Sequence, residues 1–430
     1  MLRFRLRAFI TVVTLVVGLP LVGAAQTTPT PVVDPADPFF DDSVLHDVYL
    51  AMNTKDWETL QIHYMENDYY TCNIQVGSIK LQDIAIRSRG TGSRNQAKPG
   101  LRVDFDRNVT GQKFLGLKSF ILRNNTQDAS SMHERISMQL FRRIGLPAPR
   151  EAHTRLWLNN AYVGMYMIVE SVDKTFLQKH FNEDNGDLYK YDYNVDDKPY
   201  YLEDRGRDPA LYVPHPFKPE TNESHPRSDI IADWIRVINE GRSPEVFRQL
   251  IEPYLGDLTK FVKHIAVEAF LGDQDGFNGN YGTNNFYLYR FENKSLLQFI
   301  AWDKSEAFKD GPEFPIYHNI NDIGAQYRNR LTTAVLSIPA MNNLYLDTLL
   351  DCAKSITEPL AATPGTPADL RGWMERDIEK EYAQIKAGVY SDPETQFTSE
   401  QFEAEVNSLR NVAKKRADFV STQVAAARQQ

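Results

Sequence analysis

Apolar and polar residues alternate with period two through much of the first 170 residues. The alternation runs from Tyr69 to Leu122 in TCNIQV, IKLQDIAIRSRG, LRVDFDR and SFILRN, and returns in HTRLWL and YVGMYMIVE. Successive side chains of an extended chain point to opposite faces, so this pattern predicts half-buried strands. A further short strand is predicted from Val44 to about Ala51, and a helix over 55–61 behind Asn53 or Thr54. Between the two groups of strands the period changes. Ile136, Leu140 and Ile144 recur at helical spacing, which predicts a helix over 128–144 stopped by Gly145-Leu146-Pro147. Asn159-Asn160 joins the last two strands as a hairpin. The first 170 residues thus read as a sheet with one inserted helix.

The second half reads differently. Residues 174–228 are polar, Tyr-rich and punctuated by Pro, and predict irregular structure. Helical patterns follow in ADWIRVINEG, PEVFRQLIEPYLG and LTKFVKHIAVEAFLG, then a hairpin over 285–302. Two long helices are predicted over 367–387 and 398–427, the second opened by a capping box of Thr398 and Gln401. The expected organisation is a signal peptide over 1–25, a linker over 26–42, a strand-rich part over 43–172 and a mainly helical part over 173–430.

The signal peptide rests on Arg3, Arg5 and Arg7, an apolar run from Ala8 to Val22, and the small residues Gly23, Ala24 and Ala25 before Gln26. The run is short and broken by Pro20, which argues for a cleaved export signal rather than a membrane anchor. Loss of its three arginines leaves 45 basic against 57 acidic residues, a net charge of −12. That charge excludes a scaffold binding nucleic acid through bulk positive charge. The expected location is secreted or in the cell envelope, with no stable span after cleavage. Cys72 and Cys352 are too few for a thiolate zinc site; they form one long-range bridge or remain two buried thiols. The nine histidines show no zinc spacing, and His264 reads as a core residue.

Residues 271–308 carry the chemistry. A helix ends near Gly272, and a loop follows with Asp273, Asp275, Asn278, Asn280, Asn284 and Asn285. The strands FYLYRF and LLQFIAW, turning at Glu292-Asn293-Lys294, return the chain to Asp303. A hairpin therefore gathers acids and amides at one mouth, a donor set suited to a hard divalent cation. An EF-hand is the weaker reading, since the loop's twelfth position is Asn284.

The order of parts is the one phosphoryl transfer uses in a protein kinase: catalytic Asp, Asn, hairpin, metal Asp. The five-residue spacing fits Asp275 with Asn280 and equally Asp273 with Asn278. Upstream, Arg87, Arg89 and the Gly90–Gly92 turn with Ser93 form a candidate phosphate grip. Lys98 is a candidate nucleotide lysine, Glu134 its partner from the helix, and Glu170 ends the hairpin before a hinge. Two alternatives come from other classes. One is a structural surface protein with a decayed site. The other is a carbohydrate-active enzyme with sugars stacking on Tyr191, Tyr193, Tyr200 and Tyr201.

Several of these pieces together resemble the CotH kinase family of atypical secreted kinases. They are RSRGTGS with AKPGLRVDF, LFRRIGLPAPR, LWLNNAYVGMYMIVESVDKTFL, DLYKYD, DQDG with NNFYLYRF, FIAWDKSEAF, and SLRNVAKKRADFVSTQ, spanning roughly residues 40 to 427. The resemblance implies an α+β, two-lobed kinase-like fold, with a β-rich N-lobe holding one inserted helix and a mainly helical C-lobe. It implies Mg2+- or Mn2+-dependent transfer of phosphate from ATP to Ser/Thr of a protein substrate. Carried over, Asp275 is the loop aspartate with Asp273 its partner, Asn285 the family asparagine and Asp303 the metal aspartate. Lys98 is the first choice for the nucleotide lysine and Lys190 the second. Ser305 stands where the family commonly has an acid, with Glu306 one position on.

Overall fold

A computed structural model describes residues 34–192, 199–280 and 282–429. The predicted signal peptide, most of the linker and Tyr193 lie outside the described residues. Residues 35–430 form one compact unit.

The alternating segments build a closed barrel of seven strands in the order β1-β2-β3-β4-β5-β7-β6. These are β1 (His46–Ala51), β2 (Tyr70–Val76), β3 (Ile79–Ser88), β4 (Leu101–Asp104), β5 (Ser119–Arg123), β6 (Glu151–Leu158) and β7 (Ala161–Glu170). All neighbours are antiparallel except β1 and β6, whose parallel register (His46 with Thr154, Leu50 with Leu158) closes the ring. The sequence pattern predicted a sheet; closure is an added fact, and it removes the exposed edges such a sheet would carry. The barrel is filled by Val48, Leu50, Ile74, Ile84, Ile86, Val103, Phe105, Phe120, Leu122 and Leu156. Helix α1 (Thr54–Ile62) lies between β1 and β2, and α2 (His133–Arg143) between β5 and β6.

The stretch 174–228 is more regular than its composition suggested. It contains α3 (Lys174–Phe181), β8 (Asp187–Tyr191) and β9 (Phe217–Pro219). Strands β8 and β9 join the predicted hairpin, β10 (Phe286–Arg290) with β11 (Leu297–Ala301), in a second sheet ordered β11-β10-β8-β9. These short strands are set by pairing with β10 rather than by their own pattern.

The remaining helices are α4 (Ser228–Asn239), α5 (Pro244–Leu255), α6 (Thr259–Leu271), α7 (Arg330–Leu336), α8 (Pro339–Ile356), α9 (Trp373–Tyr390) and α10 (Ser399–Ala427). The capping box of α10 forms as predicted: Gln401 N–H donates to Thr398 Oγ1 and Thr398 N–H to Gln401 Oε1. The helices share one large core around Trp234, Phe261, Ile265, Phe270, Tyr345, Leu349 and Leu409. A third apolar cluster places Ile121, Met167 and Val169 of the barrel against Leu188, Tyr287, Ile300 and Trp302 of the second sheet. That contact fixes where the hairpin's open end meets the barrel. Cys72 and Cys352 are both free and buried, in separate cores. Among the described residues no helix is long and apolar enough to cross a membrane.

Candidate active site

Helix α6 stops at Gly272, whose left-handed backbone (φ 63°) turns the chain out of the helix. The 273–285 loop follows, then β10 and β11, with Phe286 paired to Ala301. Asn285 and Trp302 form the next rung, where Trp302 N–H donates to Asn285 O at 3.3 Å. Asn285 (φ 55°) in that rung and Asp303 (φ 49°) just after it take left-handed conformations that Asn and Asp tolerate better than most residues. The hairpin mouth then closes on itself. Asn284 Nδ2 donates to Asp275 Oδ1 (2.9 Å), and Asn285 Nδ2 donates to Asp275 Oδ2 (2.8 Å) and to its carbonyl (3.0 Å). Lys304, fully buried beside Asp303, bridges Asp273 (2.8 Å) and Glu268 (2.6 Å), and donates to Asn285 O at 3.3 Å. The doubling-back of the chain thus brings Asp273, Asp275 and Asp303 to one end.

The two loop aspartates do not share one environment. Asp273 is 3% exposed and held by Lys304, so it braces the mouth rather than facing it. Asp275 remains partly accessible, and its carboxyl is pushed up to about 7, chiefly by burial, with Asp273 and Asp303 adding repulsion. Asp303 goes the other way. Burial opposes its ionisation, but Arg123, Arg89 and Lys190 outweigh it and hold the carboxyl at about 2. Its Oδ1 accepts from Arg123 Nη1 (2.6 Å) and Ser305 Oγ (3.2 Å).

Arg123 ends β5 and also pairs through Nε with Glu134 of α2 at 2.5 Å. Arg89 lies over the Trp302 ring, 5.7 Å from its centre. Lys190, opposite Tyr287 in the β8–β10 ladder, is lowered to about 8 by burial and by Arg89. Three cations thus surround one ionised carboxylate, an arrangement suited to a polyanion. Ser93 lines a small cavity here together with Arg123, Asn124, Glu134 and Ser305.

The other sequence candidates stand elsewhere. Lys98 does not pair with Glu134; its ammonium is buried against Asp392, 2.6 Å away in the α9–α10 connector. Glu134 pairs with Arg123 instead, at the end of β5. Arg87 donates to Asn67 (2.9 Å), and Glu170 is bound by Arg150 (2.5 Å). Asn280 is exposed and held through its backbone, with its N–H on Gln274 O, so Asn284 and Asn285 take the place beside Asp275. Tyr191, Tyr200 and Tyr201 are 3%, 6% and 4% exposed, which removes them as a sugar-stacking platform. His264 packs between Phe141 and Phe299 in the core. Sequence reasoning missed Arg123, although SFILRN ends its strand on a basic residue just ahead of the helix.

It also missed Glu151, a buried acid on β6 (2% exposed). Its carboxyl is pushed up to about 7 by burial, against the pull of Arg123 and Arg142, and the equally buried Glu134 beside it is raised as well. The folded chain therefore keeps a proton that the unfolded chain releases near 4.5. Stability from this group is lost as pH climbs from about 4.5 to 7 and is level above that window. Glu151→Gln should flatten the decline and leave the variant more stable than wild type at pH 8. Urea midpoints at pH 5, 6, 7 and 8 check this; parallel curves for the two proteins would refute it.

Among the described residues no three His, Cys, Asp or Glu form a ready cation cage. The donor set nevertheless fits a hard cation at the mouth. Asp303 is ionised and one-fifth exposed. Asn285 commits its side-chain N–H to Asp275, which leaves its side-chain Oδ1 as the group it presents to a cation.

Comparison with known proteins adds the family. The chain is 24% identical over 376 residues to inner spore coat protein H of Bacillus subtilis (strain 168), covering 86% of this chain and 95% of that relative. A crystal structure of the Helicobacter pylori proinflammatory kinase CtkA aligns with 76% of this chain and 95% of its own, at 12% identity and a TM-score of 0.29. Residues 86–420 match the family described as CotH kinase protein, a span that runs from the end of β3 into α10 and includes every residue of the hairpin mouth. The chain belongs to the CotH kinase family.

Proposed function

We propose that this protein is an exported, metal-dependent protein kinase that moves the γ-phosphate of ATP to Ser or Thr of a protein substrate. In this reading 43–172 acts as the N-lobe and 173–430 as the C-lobe, with ATP in the cleft at the hairpin mouth. The observation that carries it is the meeting of Asp275, Asn285 and Asp303 opposite the Arg123–Glu134 pair. Positioning and charge stabilisation account for most catalysis of phosphoryl transfer, and these residues supply both.

Arg123, Arg89 and Lys190 grip phosphate oxygens, with Glu134 orienting Arg123 and Ser93 closing the turn. Lys190, the second choice from sequence, and Arg123 take the place given first to Lys98. Asp303 and Asn285 would hold Mg2+ or Mn2+, which when bound draws off charge from the phosphate oxygens. Asp275 orients the acceptor hydroxyl. As its oxygen bonds to the γ-phosphorus and the bond to the ADP oxygen breaks, the hydroxyl proton passes to the Asp275 carboxylate. A carboxyl that titrates near 7 is well matched to that exchange at neutral pH. The predicted signal peptide, and a relative named for an inner spore coat, support action at the cell envelope.

A second reading, a family member that binds nucleotide without transferring phosphate, draws on Ser305 and on Arg123 occupying Asp303 Oδ1. Purified mature protein incubated with labelled ATP and Mn2+ should label itself or an added protein mixture. Calorimetric binding of Mn-ATP without any labelling would select the second reading. No binding with either metal would remove both.

A further inference from the structure

Helix α9 and the connector after it reach toward the barrel at two places, and both lead to Arg123. The first is α2. Arg135, next to Glu134, is fully buried and donates to Asp377 (2.6 Å) and Glu381 (2.5 Å) on α9. Asp42 takes its other arm at 2.7 Å. Glu381 also meets His153 of β6 at 2.7 Å, so one carboxylate ties the helix to the barrel wall. Consecutive residues of a helix lie about 100° apart around its axis. Holding Arg135 against α9 therefore fixes the rotation of α2 that points Glu134 at Arg123.

The second place is the turn before β4. Asp392 Oδ2 accepts from buried Lys98 (2.6 Å) and from Met165 N–H (2.9 Å). The Lys98 carbonyl in turn accepts from Asn124 Nδ2 (2.8 Å), which also donates to Ser93 O (2.9 Å). Asn124 is the residue after Arg123. Two glycines allow this approach: a Cβ on Gly164 would lie 2.5 Å from Asp392 Oδ1, and one on Gly388 would run into Met165. Tyr162 OH donates to Gly388 O at 2.9 Å, seating the end of α9 on β7.

We infer that α9 and the 391–398 connector form a built-in brace that holds the Arg123–Glu134 pair and the Ser93 turn in register for nucleotide. Glu381 and Asp392 are then positioning residues that touch neither nucleotide nor acceptor. This deepens the kinase reading and rests on it. The brace makes α2 a fixed element, so Arg123 and Glu134 stay paired without an activating partner or a modified loop.

The test uses the full mature chain with Glu381→Gln, Asp392→Asn and, as control, Glu379→Gln. Glu379 lies on the other face of α9, paired with Arg410 of α10 at 2.6 Å. Both brace variants should raise KM for ATP at least fivefold with a smaller change in kcat. A merely structural loss would instead reduce the active fraction, and so kcat, at constant KM. Amide exchange should quicken about tenfold in α2 for Glu381→Gln and in the 93–101 turn for Asp392→Asn, with α8 unchanged, and the control should match wild type in every readout. Should one brace variant fail to fold, the other carries the test, since each acts through a different arm. Unchanged KM and unchanged exchange in both α2 and the 93–101 turn overturn the brace and leave wild-type transfer intact. Absence of Mn-ATP binding to the unaltered protein overturns the kinase reading and the brace's role together, so the two failures are distinguishable.

Discussion

Asp303→Asn should lower phosphate transfer by at least about a hundredfold while the protein still folds. Asparagine keeps the shape and tolerates the left-handed backbone at this position, where φ is 49°. What it removes is the one carboxylate that Arg123, Arg89 and Lys190 jointly hold ionised. Without that charge three cations face the phosphates with no anion to bind metal, and Arg123 keeps only Glu134. Asp303→Ala should be equally inactive and less stable, because alanine pays roughly 1–2 kcal/mol for the left-handed conformation. Steady-state transfer from labelled ATP, beside thermal melts of both variants, decides the matter. Normal turnover in either one would strip Asp303 of its assignment.

The largest loss of stability is expected at the neighbouring residue. Lys304→Met leaves the buried carboxylates of Glu268 and Asp273 without their shared cation, with His264 3.4 Å from Glu268 as the remaining basic neighbour. Removing one partner from a buried ion cluster costs about 3–5 kcal/mol, because the orphaned charge stays desolvated. The sign with pH follows from Glu268. Burial opposes its ionisation, yet Lys304, helped by His264, outweighs burial and holds it at about 2, so its stabilising contribution is present above about pH 4.5 and lost as pH falls toward 2. In Lys304→Met that depression shrinks to what His264 supplies, and the deficit against wild type should be smaller at pH 4 than at pH 7. A triple variant adding Glu268→Gln and Asp273→Asn should recover much of the loss. Urea titrations at the two pH values measure both effects, and a triple variant no better than the single one would argue against the ion cluster as the cause.

Features that depend on neighbouring residues were open to inspection in the chain itself. Alternation announced β2 to β7, and the hairpin over 285–302 needed only its turn and two apolar strands to bring Asn285 beside Asp303. The short strands β8 and β9 were hidden because their partner β10 lies far along the sequence and their own pattern is broken by Pro and charge. Helices α7 and α8 carry helical apolar spacing that went unread, with Pro339 opening the second at a position where proline is well tolerated. The site divides in the same way. Asp275, Asn285 and Asp303 follow from one local turn-back. Arg123 with Asp303, 180 residues apart, and Lys98 with Asp392, 294 apart, are set by tertiary packing, and no local period encodes them.

That last separation has a consequence for biosynthesis. Asp392 emerges from the ribosome long after the barrel strands, so a nascent chain contains its whole sheet before the residue that pins Lys98 exists. Until Asp392 has been synthesised, the Lys98 ammonium lacks the carboxylate it is buried against, so the turn before β4 is seated only after the barrel's own strands are complete.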